Sequence, residues 1–121
     1  MNNKIFISGR VTGDPSYQHK FDAAEETVTD PRFFDRHGVT AAQHGFFGFQ
    51  PVNPTRLTLL GRPLVAYRWS VCMAVCLWHL AGCSHVYALA DWRQSRGARI
   101  ENRTARLLGK HIINQDKSSR P

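Results

Sequence analysis

Residues 70–90 contain no Asp, Glu, Lys or Arg, and this uncharged run limits the fold more than any other feature of the sequence. The run is long enough to cross a bilayer as a single helix. However, Gly82 lies past its middle, and His79, Ser84 and His85 also interrupt its apolar character. We therefore predict a buried helix over residues 69–80, a turn at Gly82 and a strand over residues 85–89, with no membrane span.

The rest of the sequence predicts further strands and helices on either side of this helix and strand. A short apolar run at residues 5–8, stopped by Gly9, predicts a buried first strand. The later elements alternate: a helix at residues 16–28 capped by Ser16, a strand at 46–52, a helix at 96–108 between Ser95 as its cap and Gly109, and a strand from Ile112. This order predicts an α/β fold, with a parallel sheet of four or five strands flanked by helices on both faces, in a Rossmann-like or flavodoxin-like arrangement.

The length of 121 residues suits a single domain, which we place at residues 1–114. Within it, residues 29–45 combine proline, glycines, histidines and aromatics without a regular period. We expect an irregular insertion there, with a short helix near residues 39–44. Residues 115–121 are expected to form a flexible basic tail.

Charge and cysteine content restrict the partners and the compartment. The formal net charge of +7 favours acidic partners, which include nucleotides and nucleic acid. Three cysteines without a secretory signal favour a reducing, cytoplasmic location. Cys72 and Cys76 are one helical turn apart, but no second pair of ligands accompanies them. We therefore expect buried free thiols, and neither a metal nor a cofactor.

The helix predicted at residues 96–108 carries an acidic residue in an unusual place. On a helical wheel one sector holds four arginines, and the opposite, apolar sector is formed by Ala98, Ala105 and Leu108, widened by Ile100 and Leu107. Glu101 falls in the apolar sector, where an unpaired carboxylate would be costly to bury. Two interpretations remain open: a paired structural carboxylate, or a functional one.

The position of this helix adds a possible ligand site. In an open parallel sheet, ligands bind at the carboxyl ends of the strands. Glu101 lies in the second turn of a helix that starts at that edge, and Gly97 in its first turn would allow a ligand to approach closely. The loop from Gly9 to Gly13 leaves the first strand at the same edge. The alternative is an ordinary strand-to-helix turn, because these glycines match neither a dinucleotide-binding motif nor a P-loop.

Several segments carry motifs that can be compared with known families. They are KIFISG at residues 4–9 with Thr-Gly at 12–13, FDAAE at 21–25, VNP at 52–54, and a Trp-x-x-x-Met spacing at Trp69 and Met73. The most specific is Trp-x-x-Ser-x-Gly-Ala-x-x-Glu, which begins at Trp92 and ends at Glu101. Together the motifs resemble the nucleoside 2-deoxyribosyltransferase superfamily, in its small and often phage-borne branch.

The resemblance implies a function and a set of site residues. By this resemblance Glu101 is a nucleophile that attacks the anomeric carbon of a deoxyribosyl group, so that an N-glycosidic bond is cleaved or the sugar is transferred. Other residues of the implied site bind the sugar, the phosphate or the base: Ser8, Gly9, Gly13, Asn53, Trp69, Ser95 and Gly97. The implied ligand is a small nucleoside or nucleotide, and the superfamily commonly completes its sites across subunits, so a homo-oligomer is plausible.

The chain departs from the superfamily pattern in its acidic residues. Cys76 and Ser84 stand where the relatives often have Asp, whereas Asp91 stands where they often have Gly. An acid near the leaving base normally protonates or orients it, and Asp91 is a candidate for that catalytic role. The departures leave one alternative, a nucleotide-binding module with weak or no turnover. A second alternative is a basic protein that binds nucleic acid through its arginines; the other interpretation of these arginines is a solvated helix face.

Overall fold

A four-stranded parallel sheet forms the centre of the protein. The computed structural model describes residues 4–11, 14–30 and 50–115. The strands of the sheet follow the order β2-β1-β5-β6, where β1 is Lys4–Ser8, β2 is Gln50–Val52, β5 is His85–Ala88 and β6 is His111–Asn114. A separate antiparallel hairpin is formed by β3 (Thr58–Leu59) and β4 (Arg62–Pro63). The predicted α/β fold with a parallel sheet is therefore confirmed.

Strand β1 occupies the interior of the sheet, as its apolar sequence predicts. It pairs in parallel with β2 on one side and with β5 on the other, where Ile5 lies opposite His85 and Ser8 opposite Ala88. A strand covered on both faces needs apolar side chains at successive positions. Accordingly, Ile5, Phe6 and Ile7 are fully buried.

Helices cover both faces of the sheet, and each face has its own core cluster. Helix α1 (Tyr17–Thr29) packs on one face, where its side chains Phe21, Ala24 and Val28 are buried together with those of β1. Helices α2 (Trp69–Ala81) and α3 (Arg96–Leu107) cover the other face. The uncharged run is thus α2, a turn and β5, and it lacks charges because Leu80, Cys83 and Val86 belong to the core.

The ends of the helices agree with two of the three predicted terminal residues. The Ser95 hydroxyl accepts a hydrogen bond from the amide of Ala98 at 3.2 Å, which caps α3. Gly109 follows α3 with a φ of 71°, a conformation that favours glycine. Ser16 precedes α1, but its hydroxyl donates to Asp14 at 2.9 Å instead of accepting from the helix. The predicted capping role of Ser16 is therefore wrong.

The buried face of α3 differs from the predicted apolar sector. Leu107 is 82% exposed and Leu108 is 51% exposed, whereas Asn102 is buried. Leu107 lies about 120° around the helix from Glu101, at about 100° per residue, and Leu108 follows the last helical residue. The buried stripe is therefore narrower than the sequence predicts and is turned towards Asn102.

Some predictions fall on residues that the structure does not describe. These are most of the insertion at residues 29–45 with its short helix, the part of the predicted second strand before Gln50, and most of the tail at 115–121. Within the described ranges, no helix has both the length and the apolar character that crossing a membrane requires.

Candidate functional site

The carboxyl group of Glu101 lies buried at the carboxyl edge of the sheet. Helix α3 starts at this edge, and its second turn brings Glu101 beside Ser8, the last residue of β1. The Ser8 hydroxyl donates a hydrogen bond to Oε1 of Glu101 at 2.8 Å, and both residues are almost inaccessible to solvent. The isolated carboxylate predicted on the apolar face of α3 is thus a hydrogen-bonded group inside the fold.

The side chain of Asn102 determines the direction of the Ser8 hydroxyl. Its Nδ2 atom lies 2.8 Å from the carbonyl oxygen of Ala98, which can only accept, and 3.1 Å from Oγ of Ser8. Because an amide nitrogen can only donate, Ser8 Oγ accepts from Asn102 and directs its own hydrogen towards Glu101. Asn102 therefore positions Glu101 indirectly.

Helix α2 supplies a second partner for the Glu101 carboxyl group. The Cys76 thiol is hydrogen-bonded to it. Burial raises the pKa of Cys76 and the nearby Glu101 charge raises it further, so the thiol keeps its proton. When Glu101 is ionised, Cys76 therefore donates to it, and Cys76 does not act as a thiolate.

Burial raises the pKa of Glu101 from its ordinary value of 4.5 to about 8. The cause is the loss of hydration of the charged form, and the hydrogen bonds from Ser8 and Cys76 offset it only in part. At neutral pH the free protein therefore holds this group mainly as the neutral acid. A shift of this kind, in a group that faces a cavity, is typical of a functional carboxyl group.

Glu101 lines a partly open cavity of about 180 Å³. The cavity also contains four more of the predicted site residues, namely Gly9, Trp69, Ser95 and Gly97. Aromatic rings contribute to the wall from α1, from the segment before α2 and from α2 itself: Phe21, Tyr67 and Trp69. The wall further includes Cys72, Met73 and Cys76, so the described lining is apolar and sulfur-rich around one carboxyl group.

The two glycines of the cavity wall have a packing role. A Cβ atom at Gly9 would lie 2.5 Å from Cδ1 of Leu89, and one at Gly97 would lie 3.0 Å from Sδ of Met73. The sequence predicts that Gly97 allows the close approach of a ligand. In the structure, the groups that approach Gly9 and Gly97 closely are these side chains of the protein.

Asp91 does not line the cavity that contains Glu101. Its carboxylate forms an ion pair with Lys20, and it accepts a hydrogen bond from the amide of Arg10 at 3.2 Å. Lys20 also pairs with Asp14, and this contact lowers the pKa of Asp14 to about 2. These contacts connect α1 with the loops that follow β1 and β5, so Asp91 serves a structural purpose there.

Asn53 is buried beside the cavity without facing it. Its Oδ1 atom accepts from the amide and the hydroxyl of Thr55, at 3.0 and 2.6 Å, and its Nδ2 atom donates to Asp22 at 3.3 Å. Asn53 thus caps the 3₁₀ turn Pro54–Arg56. Its neighbour Pro54 lines the cavity. Gly13, another predicted site residue, lies outside the described residues.

Asn102 belongs to the candidate site but was not predicted from the sequence. It adjoins Glu101 in the sequence and shares a side of the helical wheel with Ala98 and Ala105, and that proximity was its only available signal. For Cys76 the sequence predicts a buried free thiol and shows a departure from the superfamily pattern, but it does not predict the contact with Glu101. Among the described residues, no cluster of His, Cys, Asp and Glu has a geometry that suits a metal ion.

Comparison with known proteins gives a family. The model of the family described as a domain of unknown function, DUF4406, matches residues 3–114. No curated protein and no solved structure matches the chain. The matched range runs from β1 to the end of β6, and it contains Glu101 and both of its side-chain partners. The chain therefore belongs to the DUF4406 family.

Proposed function

We propose that the protein cleaves the N-glycosidic bond of a nucleoside or nucleotide, or transfers its deoxyribosyl group, with Glu101 as the nucleophile. The observation that carries this proposal is the Glu101 carboxyl group, buried on the wall of a cavity and held by Ser8. Cleavage of such a bond passes through an oxocarbenium-like state, and a carboxylate that faces the anomeric carbon stabilises its positive charge. The same carboxylate can form the covalent glycosyl-enzyme that water or another base resolves.

The surroundings of Glu101 suit a nucleophile that must be held in one orientation. Ser8 and Cys76 donate to the carboxyl group, and Asn102 keeps the Ser8 hydrogen directed towards it. An oriented nucleophile avoids part of the entropy loss on the way to the transition state. The apolar and aromatic wall supports a base or a sugar face, and Trp69 is available at the rim with 42% of its surface exposed.

The proposed reaction requires the ionised form of Glu101. Since its pKa is about 8 in the free protein, the fraction of active enzyme rises with pH up to and beyond that value. The values of kcat/KM should therefore increase between pH 6 and pH 9.

A second candidate function is a nucleotide-binding module without turnover. The observation that favours it is the position of Asp91, which is paired with Lys20 and lies away from the cavity. Glu101 is then the only acidic side chain of the described cavity wall, and no second acid in that wall can protonate a leaving base.

Incubation with deoxynucleosides and their monophosphates distinguishes these candidates. Free base is separated by chromatography, and the parent protein is compared with Glu101→Gln, which keeps the shape of the side chain and removes its charge. We expect Glu101→Gln to abolish base release while ligand binding persists within about tenfold, because the cavity wall also contributes to binding. Glu26→Gln makes the same change at an exposed position of α1 and should retain full activity. A parent that binds nucleotides but releases no base from any of them supports the binding module and contradicts the enzyme.

A further inference from the structure

The outer face of α3 carries a row of arginines that begins beside the cavity. This arginine row consists of Arg96, Arg99, Arg103 and Arg106, and all four side chains are exposed. It extends over about 15 Å at about 1.5 Å per residue. The guanidinium group of Arg96 lies 4.7 Å from the ring centroid of Trp69, which lines the cavity. The row therefore connects the cavity rim with the far end of α3.

The positive charge of the arginine row is not neutralised within the described part of the chain. None of its members forms an ion pair there, and the sole acidic residue of α3 is Glu101, which is buried on the opposite side. Like charges three and four residues apart weaken a helix. Repulsion among four arginines without an acidic neighbour disfavours the helix that they form. Residues that oppose their own local structure in this way are typical of functional surfaces.

The dimensions of the arginine row match a nucleic acid backbone. Phosphates of a stacked strand follow one another at about 3.4 Å, so about 15 Å accommodates roughly four of them. Guanidinium groups bind phosphate oxygens through two parallel hydrogen bonds. At the cavity end of the row, the half-exposed indole of Trp69 offers a surface on which a base can stack.

We propose that the arginine row holds the backbone of single-stranded DNA and that the adjoining cavity receives one nucleotide of the strand. The proposal rests on the proposed function, because it makes a polymer the substrate of the Glu101 site. A single strand suits the site because its bases are unpaired and enter a pocket without the energy needed to open a duplex. Free nucleosides would reach the same cavity without the help of the arginines.

Binding to the arginine row, the proposed docking surface, is tested by fluorescence anisotropy with a labelled oligothymidylate. The oligothymidylate has about 20 nucleotides, so it is longer than the roughly four phosphates that the row accommodates. The variant Arg99→Gln/Arg103→Gln should weaken binding at low salt by about tenfold or more. It should also reduce the slope of log affinity against log salt by about 1.4, since each lost phosphate contact contributes about 0.7 for a single strand. Arg99→Lys/Arg103→Lys keeps both charges and should retain most of the affinity.

The matched control removes the same charge elsewhere on the surface. In Arg56→Gln/Arg62→Gln, both changes lie outside α3, and Arg56 pairs with Asp22 of α1 on the opposite face of the sheet. This variant should bind the strand nearly as the parent does. The proposal is overturned if both Gln double variants weaken binding equally, or if Arg99→Gln/Arg103→Gln binds the strand as tightly as the parent. It is also overturned if the parent prefers duplex DNA, RNA or phosphatidylserine vesicles.

The docking surface and the proposed function fail in different ways. Glu101→Gln should still bind the strand, and Arg99→Gln/Arg103→Gln should still release base from free deoxynucleosides. Base release from nucleosides by a parent that does not bind the strand overturns the docking surface alone. Strand binding through α3 by a parent that releases no base from any substrate supports the docking surface and contradicts the glycosidase.

Discussion

At the scale of single residues, the chemistry of the candidate site depends on the raised pKa of one carboxyl group, that of Glu101. Glu101 is surrounded by apolar atoms, and its two hydrogen-bond donors, Ser8 and Cys76, compensate only part of the lost hydration. The same carboxyl group in the unfolded chain is hydrated and ionises at its ordinary pKa. Folding therefore binds a proton at any pH between these two pKa values, and this links the stability of the fold to the ionisation state of Glu101.

The first prediction concerns the pH dependence of stability. The folded pKa of Glu101 lies above its unfolded value, so the folded state binds more protons between pH 4.5 and about 8. The free energy of unfolding should fall as pH rises through this window, with a contribution of at most ~1.4 kcal/mol per pH unit. Urea denaturation of the parent and of Glu101→Gln at several pH values measures it.

The difference between the two proteins isolates the contribution of Glu101. Because Gln does not titrate, Glu101→Gln should lose this slope and should be more stable than the parent above pH 8. Glu26→Gln, exposed on α1, should keep the slope of the parent. An undiminished slope in Glu101→Gln would show that another group carries the linkage.

At the scale of secondary-structure elements, the cavity wall depends on close packing at two glycines. Gly9 follows β1 and lies against the side chain of Leu89, whereas Gly97 in α3 lies against Met73 of α2. The absence of a side chain at these positions allows the loop after β1 to approach the end of β5, and α3 to approach α2. The distance between Glu101 and its partners in β1 and α2 follows from this packing.

The second prediction tests this packing with two glycine substitutions. Gly9→Ala places a Cβ atom within 3 Å of three side-chain atoms of Leu89, and overpacking of this kind destabilises by about 1–3 kcal/mol. Gly82→Ala introduces the same group after α2, where the nearest atom is the His79 carbonyl oxygen at 3.5 Å. The midpoint temperature of thermal unfolding should fall clearly for Gly9→Ala and change little for Gly82→Ala. Equal effects would indicate that backbone freedom, and not contact with Leu89, explains Gly9.

At the scale of the whole molecule, the site exists only when both faces of the sheet are assembled. Phe21 comes from α1 on one face, and Trp69 and Met73 come from α2 on the other, yet all three line the cavity beyond the end of β1. Lys20 of α1 pairs with Asp14 after β1 and with Asp91 after β5, so it connects α1 with the two loops at this edge of the sheet.

The third prediction removes this connection. Lys20→Met keeps the apolar stem of the side chain and deletes both ion pairs. The loss of the part-buried pair with Asp91 should lower the free energy of unfolding by about 1 kcal/mol. Lys110→Met, which loses one hydrogen bond to the Ala81 carbonyl, should change the unfolding free energy by less. Chemical denaturation at neutral pH measures both. If Lys20→Met is as stable as the parent, the loops at the sheet edge are held by other contacts.

The amino-acid sequence alone was sufficient to predict the order and type of the main elements. The apolar run of β1, the uncharged run of α2 and β5, and the cap and glycine around α3 are local patterns, and each was confirmed. The buried place of Glu101 was also predictable, because a helix has a fixed angular period. Patterns of this kind depend only on residues that are close together in the sequence, so the sequence alone contains the information that they require.

The tertiary structure decided which side chains meet. Ser8 and Glu101 are 93 positions apart, and only the packing of α3 against β1 brings them to hydrogen-bond distance. Asp91 lies at the predicted edge, yet Lys20 and Arg10 hold it away from the cavity. Asn102 becomes a positioning residue because α3 is turned by its contacts with the sheet. Such pairings depend on the relative placement of distant elements, which helical and strand periods do not determine.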